Sequence, residues 1–106
     1  LTLPMIACGG DGVISVIANA FPREFSDMVR YALDRNFEKA RELNDLLLDI
    51  HPWLYVDGNP VGIKAAMEMI GLCRKEVRLP LVEATEKTMK GLWEEVKKVI
   101  RSPHFV

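Results

Sequence analysis

Six consecutive residues, Val13-Ile14-Ser15-Val16-Ile17-Ala18, constrain the fold of this chain most. They are mainly β-branched, apolar on both alternating faces, and bounded by Gly9-Gly10-Asp11-Gly12 before and Asn19 after. Such a run predicts a strand buried on both sides, as found in parallel sheets covered by helices. Parallel strands need neighbours reached through crossover connections. The sequence offers no second run of this quality, so the strand has nothing to pair with, and its backbone donors and acceptors have no partners if it is buried.

Everything after Asn19 reads as helix. Pro22 suits a first helical position, and Phe25, Met28, Val29, Ala32 and Leu33 recur at helical spacing to about Asn36. A second helix is expected from Phe37, with Ala40, Leu43, Leu47, Ile50 and Leu54 in one stripe and Pro52 kinking its last turn. A third is expected from Asn59 as N-cap and Pro60 at the first position, with Ile63, Met67 and Ile70 on one face and Gly71 beyond its end. Arg78-Leu79-Pro80-Leu81 should be extended, because the residue before a proline is pushed out of helical geometry. The last helix is expected over Thr85 to Arg101. Met89, Leu92, Trp93, Val96 and Ile100 form its stripe, Trp93 is its packing anchor, and Glu94 pairs with Lys98. One strand feeding one helix, then three more helices, is the order met on entering a (β/α) barrel near its last unit and following it into a helical tail.

Composition removes several function classes. The 106 residues are 49% hydrophobic and 27% charged, which suits one modest globular core. Fourteen Lys and Arg against 15 Asp and Glu leave a net charge of -1, so there is no basic field to hold nucleic acid. No apolar run approaches the ~20 residues of a membrane span. Leu1 to Gly10 has no basic residue and starts without Met, so it is expected to be neither a signal peptide nor a translation start, but part of a longer chain. Cys8 and Cys73 have no CxxC partner and are expected as packed free thiols in a reducing cytosol.

The motifs that could carry chemistry are weak. Gly9-Gly10-Asp11-Gly12 precedes the apolar run instead of following a strand and opening a helix, so it reads as a turn and not a phosphate cradle. Asp11 lacks the partners of a calcium loop. His51 and His104 have no spaced ligand partner and are expected at helix ends or on the surface, so no metal or cofactor site is expected. Ser15 has no base nearby in sequence. Covalent amine chemistry needs a lysine of lowered pKa, and of the seven lysines only Lys64, between Ile63 and Ala65, could be half-buried. The mixed charges of the last helix read as a solvated face.

The order Cys8-Gly9-Gly10-Asp11-Gly12-Val13-Ile14-Ser15-Val16-Ile17-Ala18-Asn19, Pro22-Arg23-Glu24, Gly58-Asn59-Pro60-Val61-Gly62-Ile63-Lys64-Ala65-Ala66 and Arg78-Leu79-Pro80-Leu81 resembles the carboxyl-terminal part of the dihydrodipicolinate synthases. These belong to the pyruvate-dependent class I aldolase and N-acetylneuraminate lyase superfamily. The resemblance implies a chain that is mainly α in isolation, the carboxyl-terminal fragment of a (β/α)8 TIM barrel. Residues 1–36 would hold the remnant of barrel helix 7, strand 8 and helix 8, and residues 37–106 a three-helix extension. It further implies a cytoplasmic homo-oligomer, usually a tetramer. The parent enzyme would condense pyruvate with aspartate semialdehyde through a lysine Schiff base, on the diaminopimelate route to lysine.

The family's catalytic lysine, tyrosine and threonine lie upstream, so no catalytic residue is expected in this chain and it should be inactive alone. Ile14 matches the eighth-strand isoleucine that contacts pyruvate, and Val16, two residues on, should face the same way. With its barrel neighbours absent, the strand should self-associate, pair differently or convert locally. The alternatives are another pyruvate-dependent aldolase of the superfamily and, from a different class, a stand-alone helical interaction module.

Overall fold

A computed structural model describes residues 1–105. Helix α1 spans Thr2–Ala7, α2 Pro22–Leu33, α3 Phe37–Leu48, α4 His51–Tyr55, α5 Val61–Met69 and α6 Glu86–Ile100. The described residues contain no strand, so the mainly α expectation holds. α2 and α3 share the most extensive helix contact, α1 rests on α2, and α5 packs on α6 with α4 against both. Phe21, Leu43, Leu47, Leu54, Leu92 and Val96 meet in one core between these groups. Phe105 folds back onto it, its ring edge-on to Phe21 at 6.1 Å.

The strand expected over Val13–Ala18 does not form. A strand exists through its ladder, and among the described residues no backbone N–H of 11–16 donates to protein. At Val16 the backbone turns helical (φ -74°, ψ -51°) into a 3-10 turn over Ile17–Asn19. Ser15 Oγ accepts from the Ala18 N–H at 3.1 Å, and the Val16 carbonyl accepts from the Asn19 N–H at 3.1 Å. Burial of Ile17, Ala20 and Phe21 draws the end of the segment into the core and leaves Val13 and Ile14 outside.

Three helices end in the same way. The N–H of Gly10 returns to the Met5 carbonyl, that of Asn36 to Tyr31 and that of Leu72 to Met67, at 2.9, 2.8 and 2.9 Å. Each closure needs a residue of positive φ just before it, supplied by Gly9, Arg35 and Gly71. Gly9-Gly10 is thus the stop of α1, in keeping with a turn. Arg35, at φ 62°, takes the left-handed position that glycine holds in the other two.

The stripe Ala40, Leu43, Leu47, Ile50 and Leu54 is buried throughout, as expected, but its helix is not continuous. Pro52 has no N–H for the Leu48 carbonyl and its ring would press on that group, so α3 stops at Leu48 and α4 begins at His51. The described residues 37–105 therefore hold four helices where three were expected, one of them very short. Asn36 caps α3, its Oδ1 accepting from Lys39 N–H at 3.3 Å. Asn59 does not cap α5, which starts at Val61 after Pro60 with no side-chain cap. Gly58 and Pro60 instead supply the carbonyls that receive the N–H groups of Gly62 and Lys64, at 3.3 and 3.0 Å. A Cβ at Gly62 would collide with the backbone of Leu54, so this glycine sets how closely α4 and α5 approach.

α6 begins where expected, with Thr85 Oγ1 accepting from Thr88 N–H at 3.3 Å. Its inward face is Thr88, Leu92, Val96 and Val99, and Trp93 is 42% exposed and not its anchor. The reason is Gly91: the ring of Trp53 from α4 occupies the space a side chain there would need, and that turns α6 by part of a turn. The pair expected between Glu94 and Lys98 is replaced by Glu94 with Lys97 at 2.8 Å and Glu95 with Lys98 at 3.1 Å. Such exposed pairs contribute little to stability.

Candidate functional site

The site begins with the segment the core does not absorb. Ile14 is fully exposed, Val16 half-buried. Because Val16 already has helical dihedrals, strict strand alternation ends at Ser15 and does not orient Val16 like Ile14. Both still line one cavity of about 140 Å³ with Val13, Ser15, Ile17, Thr2, Phe25, His51 and Tyr55. Leaving an isoleucine in water forgoes about 1.5–3 kcal/mol of burial free energy. Nothing else in the segment offsets that, so Ile14 is presented by the local fold without being stabilised in it.

His51 and Tyr55 are what the sequence reading missed. They stand four residues apart on α4 and so share its face, and the fold turns that face onto the Val13–Ile17 segment. The i, i+4 spacing of a histidine and a tyrosine was the available signal. His51 is at a helix end, as expected. Its imidazole pKa is lowered from the ordinary value of 6.5, chiefly by burial. The neutral ring, a hydrogen-bond acceptor at one nitrogen, is thereby favoured.

The remaining candidates sit apart from this cavity. Lys64 is half-buried, and its ammonium donates to the backbone carbonyl of Glu76, which gives it a structural partner. Cys8 and Cys73 are both exposed, contrary to packed thiols: Cys8 follows the last turn of α1 and Cys73 lies in the loop after α5, both away from the core. Among the described residues no group of three or more His, Cys, Asp or Glu is placed to hold a metal ion. No helix among them is long and apolar enough to cross a membrane.

A second polar arrangement pins the long connection between α5 and α6. Glu68 Oε2 accepts from the Lys75 N–H at 2.7 Å, and Lys75 Nζ lies 3.8 Å from Glu83. Asp57 Oδ2 accepts from the N–H and hydroxyl of Thr85 at 2.9 and 3.2 Å. The Thr85 backbone bond is the chief cause that holds the Asp57 carboxyl below its ordinary value of 3.8.

The family model of the dihydrodipicolinate synthetase family matches residues 1–99. The chain belongs to that family. It is 47% identical over 97 residues to the 4-hydroxy-tetrahydrodipicolinate synthase of Methanocaldococcus jannaschii, covering 92% of this chain and 34% of that protein. A crystal structure of a dihydrodipicolinate synthase superposes at a TM-score of 0.86 with 45% identity, over 92% of this chain and 34% of the other. The crystal structure of the Thermotoga maritima dihydrodipicolinate synthase gives 0.87 with 38% identity, over 92% and 33%. The chain thus spans about a third of the length of the family members it matches. The helical arrangement described above is that of a dihydrodipicolinate synthase segment.

Proposed function

We propose that this chain is the carboxyl-terminal part of a 4-hydroxy-tetrahydrodipicolinate synthase that joins pyruvate to aspartate semialdehyde in the cytoplasm, on the diaminopimelate route to lysine. Residues 1–36 are then the close of the (β/α)8 barrel, with 12–18 as its eighth strand, and residues 37–106 the helical extension of a homo-oligomer. In the parent enzyme a lysine amine condenses with the pyruvate carbonyl, releasing water. The imine then loses a methyl proton to become an enamine, whose carbon attacks the aldehyde. This chain supplies shape to that reaction: Ile14, with Val16, forms part of the wall against which pyruvate rests. The covalent lysine is outside it.

One observation carries this reading. The uncovered, apolar Val13 and Ile14 lie in a chain that superposes over 92% of its length at a TM-score of 0.86 on a synthase of 45% identity, and a barrel sheet in the longer protein would cover them. Intact mass after pyruvate and borohydride tests it. The chain should keep its unmodified mass while the full-length protein gains one reduced pyruvyl group. An adduct on the chain itself would overturn the assignment and point to Lys64. In the full-length protein Ile14→Ala should raise the KM for pyruvate roughly 10-fold or more, the effect of removing apolar contact from a small-substrate pocket. An unchanged KM would remove Ile14 from the site.

A further inference from the structure

We propose that Glu24 anchors a binding site for a small organic cation, a primary ammonium on a short apolar chain, in the cavity between the start of α2, the end of α5 and the carboxyl-terminal tail. Glu24 belongs to the Pro22-Arg23-Glu24 motif, and the proposed reaction makes no use of it.

Glu24 is 3% exposed, the one charged residue buried among those described. Among them its carboxylate accepts no hydrogen bond and joins no ion pair. No fully buried side-chain oxygen lacks a partner there, so both Glu24 oxygens hold some of the little access the residue keeps. That access is into the cavity Glu24 lines. Burying a carboxylate without a partner costs free energy, and its place in the first turn of α2 offsets only part of that cost. A cation at the carboxylate supplies the rest. The cavity also has the size and chemistry of a small-molecule site: it holds about 450 Å³, and Ile70, Leu72 and Phe105 give it apolar walls around a single carboxylate. One carboxylate among apolar side chains cannot supply the several oxygen ligands of a calcium or magnesium ion. It does suit an ammonium, which donates to the oxygens while its chain covers the walls. Arg23 lines the same cavity but is exposed and outside ion-pair distance of Glu24, so the charge of Glu24 is left for a ligand. The walls are held without residues 11–16: the Leu72 N–H closes α5 onto the Met67 carbonyl at 2.9 Å, and the Phe105 ring stands edge-on to Phe21 at 6.1 Å.

The test is a titration of the chain with pentylammonium, and separately with pentanol, read by the amide resonances at neutral pH. Saturable shifts are expected at Glu24, Leu72 and Phe105, with pentylammonium bound about tenfold or more tighter than pentanol, as a hydrogen bond to a charged group provides. In Glu24→Gln, which keeps the shape of the side chain, the two ligands should bind alike. No saturable binding, equal affinities in the unaltered chain, a preference undiminished in Glu24→Gln, or shifts clustered away from these residues would overturn the proposal. In the full-length protein, calorimetry without pyruvate should show the same Glu24-dependent binding. Its absence there would mean that another part of the longer protein fills the cavity, which overturns the proposal as well. Pyruvate takes no part in either experiment, so the synthase reading stands or falls separately.

Discussion

Residues 11–16 and the connection 72–84 are both non-helical, both rich in exposed apolar side chains, and held by different means. Val13 and Ile14 stand uncovered in the first, and Leu72, Leu79, Leu81 and Val82 in the second. The connection is pinned from outside by Glu68, Lys64 and Asp57, which reach its backbone from α5 and from the turn after α4. The segment 11–16 is fixed by its ends, at the closure of α1 and at the buried Ile17, with Ser15 bonding only to its near neighbour Ala18. A few side-chain bonds therefore define the path of an extended segment that has no sheet, whereas a strand-like sequence lacking both ladder and such bonds relaxes into a turn.

The sharpest way to break this comparison is at the buried end of the first segment. Ile17→Ala should cost about 3–4 kcal/mol in urea unfolding, because it empties a fully buried site. Ile14→Ser should leave stability unchanged within about 0.5 kcal/mol, as an exposed position does. Similar losses from both would mean that Ile14 is packed. Next comes Gly62→Ala, expected to cost about 2 kcal/mol by forcing α5 off the Leu54 backbone. It should also raise amide exchange around both segments, since α4 backs the first and leads into Asp57 for the second. Exchange changes confined to α5 would separate the two.

Acid should sharpen the contrast with a smaller effect. Asp57 titrates lower in the fold than when unfolded, so its contribution is fully present above about pH 4 and is lost as pH falls through its folded value. His51 is also lowered, so the unfolded chain takes up its proton first, and stability falls as pH drops from about 6.5 through the folded value. Protection relative to the intrinsic exchange rate should therefore fall around His51 on α4 in the higher window and around Thr85 only in the lower one. A single shared window would deny that the two regions are held by different groups.

Helices were legible in the sequence because apolar spacing survives without a partner, and the stripe from Ala40 to Leu54 is the clearest case. The break before Pro52 was visible in the proline but was read as a kink. Trp93 misled because its size suggested an anchor, when the deciding residue was Gly91, whose vacancy is filled from another helix. The strand was legible as a pattern yet absent as structure, since β-branched residues favour extension but only neighbouring strands supply a ladder. Ile14 was singled out through family resemblance and Val16 through strand alternation. The i, i+4 spacing of His51 and Tyr55 puts them on one face of α4, but that this face meets residues 13–17 is set by tertiary packing.

Amide hydrogen exchange of Gly12 to Ser15 in dilute, monomeric chain, read beside α3 and α6, is the most direct measurement. Exchange near the rate of an unstructured peptide is expected for these residues, with the two helices protected and with protection of the same amides in the full-length protein. Strong protection of Gly12 to Ser15 in the monomeric chain would contradict the view that this segment is a synthase strand left without its sheet.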